Sequence, residues 1–164
     1  MRLALTCILI ALASITVNAE QSQQSHAKVL VDNLAKWGHH RVERYSYNVH
    51  YLGYVPLVGE LPPVRVHVRD GKISETRLLA NFGKLRAGSK APTEPYVSRF
   101  WRHTVPDLFT IAASAIQASP TESDTQVRIG YDETFGFPAY ISVSDPTIAD
   151  ADGEWQISDF SVEK

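Results

Sequence analysis

Val64-Arg65-Val66-His67-Val68-Arg69-Asp70-Gly71-Lys72 carries two signals in succession. Val64, Val66 and Val68 alternate with Arg65, His67 and Arg69, which is the period of a strand buried on one face only. Asp70-Gly71 follows at once. A two-residue type I′ turn needs positive φ at both central positions, and Asp-Gly is a favoured pair for it. Lys72 to Leu79 is therefore predicted to return antiparallel, which makes the sheet antiparallel in at least this part.

Moving upstream, a Pro/Gly-rich connection from Pro56 to Pro63 precedes the hairpin. Before it, Tyr45, Tyr47, Val49 and Tyr51 alternate with Ser46, Asn48 and His50 and predict another half-buried strand. The tyrosines could line a ligand groove, but at strand spacing they fit a core better. Earlier still, Val29, Leu30, Leu34 and Trp37 fall at helical spacing within His26 to Trp37. Ser25 is a candidate N-cap and Gly38 a candidate stop.

Downstream, Ala80 to His103 holds no period, and Gly83, Gly88, Pro92 and Pro95 interrupt it, which predicts a long loop. Its end carries Tyr96, Phe100 and Trp101, residues that either anchor the loop to the core or project as a contact surface. Thr104-Val105-Pro106-Asp107 then supplies an N-cap, a proline in the first turn and an acidic capping-box residue, so a second helix is predicted. Leu108, Phe109, Ile111, Ala112, Ala115 and Ile116 form its apolar face, and Ser119-Pro120 ends it. Val127, Ile129 and Tyr131 start a strand, Asp132 to Pro138 turns the chain, and Ala139, Ile141 and Val143 return. Asp132, Gly136 and Pro138 read as turn chemistry. An acidic loop from Asp145 to Glu154 leads to Trp155 and Ile157, then Phe160 and Val162. The apolar parity changes between Ile157 and Phe160, which suggests a bulge.

The predicted order is helix, three strands, helix, three strands. This is an α+β fold, an antiparallel sheet of about five to six strands with two helices on one face. No internal repeat supports a duplication.

Trp37, Tyr45-Ser46-Tyr47, the Val64 to Lys72 stretch, Thr104-Val105-Pro106-Asp107-Leu108-Phe109, Tyr131-Asp132, Gly136-Phe137-Pro138 and Asp150 to Phe160 together resemble the domain of unknown function 6174 family of bacterial exported proteins. The resemblance runs in order from about Trp37 to Phe160. It implies a protein of the bacterial envelope, in a family with many lipoproteins and no established biochemical role. The resemblance implies a cysteine pair that many members carry near the end of the first strand. This chain has Tyr51-Leu52-Gly53-Tyr54 there, so a redox or metal role through that pair does not transfer.

The chain opens with Arg2 and an apolar run from Leu3 to Val17, followed by Val17-Asn18-Ala19. A run of that length with a small residue at its end reads as a secretory signal at residues 1–19, cleaved after Ala19 to leave one domain, 20–164. The run is shorter than the roughly 20 residues that cross a bilayer, and no basic stop-transfer cluster follows, although an uncleaved anchor competes. Cys7 lies too early in the run to become a lipidated first residue. The expected location is the periplasm or the medium, with no transmembrane helix after cleavage. Removal of Cys7, the single cysteine, leaves a chain with no thiol and hence no disulfide or cysteine-ligated metal. A formal net charge of −2 argues against a general nucleic-acid or anionic-membrane binder.

No nucleophile elbow, zinc-protease helix, phosphate-cradling loop or dinucleotide fingerprint is present. The reading is a monomeric, cofactor-free, non-catalytic binding or structural module with an envelope protein or small ligand as its partner. The expected contact surface is Arg65, His67 and Arg69 on the polar strand face with Tyr96, Phe100 and Trp101 from the loop. A metal-binding module is the alternative. Calcium would use Asp145, Asp150, Asp152 and Glu154, and zinc would use His50 and His67 with a further ligand such as Glu43 or His103. Inhibition of a secreted hydrolase is a third possibility.

Overall fold

The computed structural model describes residues 24–53, 61–79, 100–119, 125–145 and 152–163. Helix α1 covers residues 24–40. It is followed by β1 (Tyr45–Gly53), β2 (Val64–Arg69), β3 (Lys72–Leu78), helix α2 (Val105–Ala118), β4 (Gln126–Tyr131), β5 (Pro138–Ser144) and β6 (Gly153–Val162). The six strands form one antiparallel sheet in the order β3-β2-β1-β6-β5-β4. The α+β order read from the sequence is the order of the fold. No helix among the described residues is long and apolar enough to cross a membrane.

Alternation decides which face is covered. Tyr45, Tyr47, Val49 and Tyr51 of β1, Val64, Val66 and Val68 of β2, Ile141 of β5 and Ile157 of β6 are buried. Trp37 of α1 and Val105, Leu108, Phe109 and Ala112 of α2 complete the same core. Both helices therefore lie on one face. Each fully buried valine contributes about 1.5–3 kcal/mol relative to exposure. The opposite face carries the alternate residues and is covered by no helix among the described residues.

The hairpin forms as the Asp-Gly pair demands. Arg69 pairs with Lys72, and Asp70 and Gly71 take φ +52° and +72°. The parity change in β6 is also a bulge. Asp159 takes φ +50°, the register against β1 shifts between Ser46 and Asn48, and Phe160 turns back to the core. β6 begins at Gly153, so Gly153 and Glu154 are strand residues rather than the end of the acidic loop.

Helix α2 has its capping box. Thr104 Oγ1 accepts from Asp107 N at 3.3 Å while Asp107 Oδ2 accepts from Thr104 N at 2.7 Å. Two tyrosines reach up from the sheet to the same terminus. Val105 N donates to the Tyr45 hydroxyl at 2.8 Å, and the Tyr47 hydroxyl donates to the His103 carbonyl. One of the amides that a helix start leaves unpaired is thus satisfied from the core. Burial pushes the Tyr45 hydroxyl up to about 12 and holds that of Tyr47 well above its ordinary range.

Helix α1 departs from the expected boundaries. It is already helical at residue 24, ahead of Ser25, and it runs through Gly38 to residue 40. Arg41 then takes the left-handed conformation, φ +49°. A glycine inside a helix costs only about 1 kcal/mol, and contacts on either side of it outweigh that. Lys36 Nζ donates to the Glu133 carbonyl, His40 Nε2 donates to the Thr134 carbonyl at 3.0 Å, and the His40 ring lies 4.8 Å from that of Phe135. The predicted buried face is also narrower than expected. Trp37 is buried, but Val29 and Leu34 stay 44% and 46% exposed.

Candidate interaction surface

The helix-free face is built from residues 46, 48 and 50 of β1, 65, 67 and 69 of β2 and 154, 156 and 158 of β6, whose partners across the ladders set its rows. Asn48 stands opposite Arg65 on one side and Ser158 on the other. Arg65 reaches from there across β1 to the β6 bulge. Its Nη1 donates to Asn48 Oδ1 at 3.1 Å and to the Asp159 carbonyl at 2.9 Å; its Nη2 donates to Ser46 Oγ at 2.8 Å and Ser161 Oγ at 3.1 Å. Asn48 Nδ2 donates in turn to Asp159 Oδ2. The bulge exposes a carbonyl that the regular ladder would have used, and the planar fork of Arg65 is the donor that answers it.

A second group lies beside this one. His67 Nδ1 donates to Glu163 Oε1 at 2.8 Å, and Arg69 Nε stands 3.6 Å from Glu163 Oε2. The hydrogen bond from His67, reinforced by the Arg69 charge, holds the Glu163 carboxyl below its ordinary range. Toward the other end of the sheet the Tyr140 hydroxyl donates to Glu154 Oε2 at 2.9 Å. Next to Glu154 a shallow cavity of about 290 Å³ is lined by Leu52, Ser142, Ser144 and Asp152 among others.

Of the expected contact residues, Arg65, His67 and Arg69 share this face, with the first two largely engaged by neighbours. Phe100 and Trp101 are on the other side of the sheet. Trp101 is 8% exposed within the core, and Phe100 packs on Tyr51 with ring centroids 4.7 Å apart. Both anchor the chain rather than project from it, because the covered face of the sheet offers them an aromatic bed. Tyr96 lies outside the described residues.

The structure does not bring His50 and His67 together. His67 stands opposite Ser46, four residues along β1 from His50, which is about 13 Å at strand rise. Zinc ligation by this pair is thereby removed, since ligands must sit within about 2.1 Å of one ion. Of the acidic residues, Asp145 Oδ2 accepts from Thr125 Oγ1 at 3.2 Å and Glu154 is held by Tyr140, while Asp152 is exposed at the strand entry. Asp150 lies outside the described residues. Among the described residues no group of three metal-ligating side chains gathers.

Sequence reading missed the Arg65 fan, whose partners Asp159 and Ser161 are 94 and 96 residues away. The one local signal was the parity change at the bulge.

The residues that read as a pattern along the chain meet in space. Trp37 lies edge-on to Tyr45, Phe137 and Phe160 at 5.5, 6.2 and 5.9 Å between ring centroids. Asp132 Oδ1 accepts from Thr134 N and Phe135 N, and Gly136, at φ +79°, lets the turn approach α1 so closely that a Cβ would stand 2.8 Å from the Asn33 carbonyl. An antiparallel sheet with α1 locked to the β4–β5 turn by aromatic rings, and with no helix on its other face among the described residues, is the class of domain this defines. The family model described as Family of unknown function (DUF6174) matches residues 29–162. The chain belongs to that family. No curated protein and no solved structure matches it.

Proposed function

We propose that the protein is an exported, non-catalytic binding or structural module of the bacterial envelope, and that its contact surface is the helix-free face of the sheet. One observation carries the reading: the polar side chains of this face brace one another through Arg65, Asn48, Ser46, Ser161 and Asp159. A surface whose side chains are already ordered loses less entropy when a partner meets it. Arg69 and Gln156 are exposed on the same face, where they pair with the carboxylates of Glu163 and Glu154. The apolar leader at residues 1–19 supports export.

Site-specific photocrosslinking in the producing cell tests both parts. A crosslinker at Gln156 or Ser158 should trap a partner, one at Val31 on the helical side should not, and EDTA should leave the yield unchanged. N-terminal sequencing of the purified protein should begin at Glu20. Crosslinks only from Val31 would overturn the surface, and loss of the crosslink in EDTA would move the reading to a metal-dependent module.

A further inference from the structure

β3 lies at the end of the strand order, and among the described residues nothing pairs with its outer edge. Natural sheets protect such edges with lysines and bulges. β3 does so in its first half only. Lys72 opens the strand, and Ser74 is an extra residue where the register with β2 shifts between His67 and Val68. From Glu75 to Leu78 the edge is regular, and Leu78 is 60% exposed.

The ladder fixes which backbone groups point outward. Leu79 N donates to the Pro63 carbonyl, and the same register pairs Arg65 with Arg77 and His67 with Glu75. Those positions face β2. Ser74, the bulge residue, bonds back through its Oγ to the His67 carbonyl, and by alternation the N–H and C=O groups of Thr76 and Leu78 face outward. An antiparallel strand added there must take its hydrogen bonds from these residues, and a second β3 can do so about a two-fold axis at Thr76. Ser74 of each copy then stands opposite Leu78 of the other, and Glu75 opposite Arg77.

One observation favours that register. Within one copy Arg77 Nη2 already lies 2.9 Å from Glu75 Oε1, on one face of the strand. The two-fold places a second such pair beside it with signs alternating, in the closely spaced positions where cross-strand charges interact best. An axis at Ser74 or at Leu78 offers no such match.

We propose that the outer edge of β3 pairs with β3 of a second copy of this chain, antiparallel and centred on Thr76, joining two six-stranded sheets into one. The helix-free faces of the copies then become continuous. This inference stands on the β3 edge and is independent of what the face binds.

Sedimentation of the protein, purified as the cell delivers it, tests the pairing from about 10 to about 300 µM, where small interfaces assemble. The wild type should sediment as a dimer that dissociates on dilution. Glu75→Arg should weaken it by about tenfold or more, since each copy then faces the other with like charge. Glu75→Arg combined with Arg77→Glu should restore it. Thr76→Pro should abolish it with the melting temperature nearly kept, because an edge strand tolerates proline where its N–H faces out. A wild type that stays monomeric throughout would overturn the pairing. So would a dimer indifferent to Glu75→Arg, or a charge swap that fails to restore association when Glu75→Arg has broken it.

Discussion

Helix α2 buries Val105, Leu108, Phe109, Ala112, Ala115 and Ile116, whereas α1 buries Trp37 alone among its described residues. Both lie on the same face of the same sheet. α2 is fixed along its length by apolar contact and at its start by a capping box and the Tyr45 hydroxyl. α1 is fixed at its C-terminal end, by Trp37 among Tyr45, Phe137 and Phe160 and by Lys36 and His40 over the β4–β5 turn, while Val29, Val31 and Leu34 remain exposed. A helix with a broad buried face distributes its attachment; one with a single anchor concentrates it. Substitutions should therefore act very unequally along α1.

The largest effect is expected at that anchor. Trp37→Ala should lower unfolding stability by about 3–5 kcal/mol, the range for removing a buried tryptophan. Hydrogen exchange should show α1 losing protection before β1 and β2 do. Equal loss in α1 and α2 would show that the two helices are held alike and would break the contrast.

Gly136→Ala attacks the same attachment from the turn. The residue would have to hold φ +79° and place its Cβ 2.8 Å from the Asn33 carbonyl, a backbone atom that cannot swing aside. The left-handed conformation alone costs roughly 1–2 kcal/mol for a residue with a Cβ. A total of about 2–3 kcal/mol is expected from urea unfolding, with the near-ultraviolet signal of Trp37 changed. A loss no larger than the strain of φ alone would mean that α1 shifts away from the turn at little cost.

At α2, Thr104→Ala removes one arm of the capping box and should cost about 1 kcal/mol. The effect is smaller than at Trp37 because the Tyr45 hydroxyl continues to accept from Val105 N. Comparing Thr104→Ala in wild-type and Tyr45→Phe backgrounds by a double-mutant cycle sharpens the point. Additive losses would mean that the two caps act separately.

The contrast also explains what was legible. The α2 start, the Asp70-Gly71 hairpin and the β6 bulge are written in neighbouring residues, and a reader of the chain meets their physics in order. The Val64, Val66 and Val68 period likewise marks its own buried face. The end of α1 is different. Gly38 is a valid stop signal locally, and it is overruled by Glu133 and Thr134, 97 and 94 residues away from Lys36 and His40. The Arg65 fan is hidden for the same reason, and the aromatic cluster Phe100-Trp101 could be anchor or projection until its bed, Tyr51, was in place. In the candidate surface, alternation showed which residues share a face, but which of them brace one another depended on β6 returning beside β1.

Gly38 gives the smallest predicted effect and the most discriminating sign. It lies inside α1 with nothing within 4 Å of where a Cβ would stand. If distant contacts carry the helix past it, the glycine is a local cost that alanine removes, and Gly38→Ala should stabilise the fold by about 0.5–1 kcal/mol in urea unfolding. If instead the glycine is needed as a hinge for Trp37 and His40 to reach their partners together, alanine should destabilise. The first sign places the strength of α1 in its tertiary anchor, the second in the flexibility of its last turn.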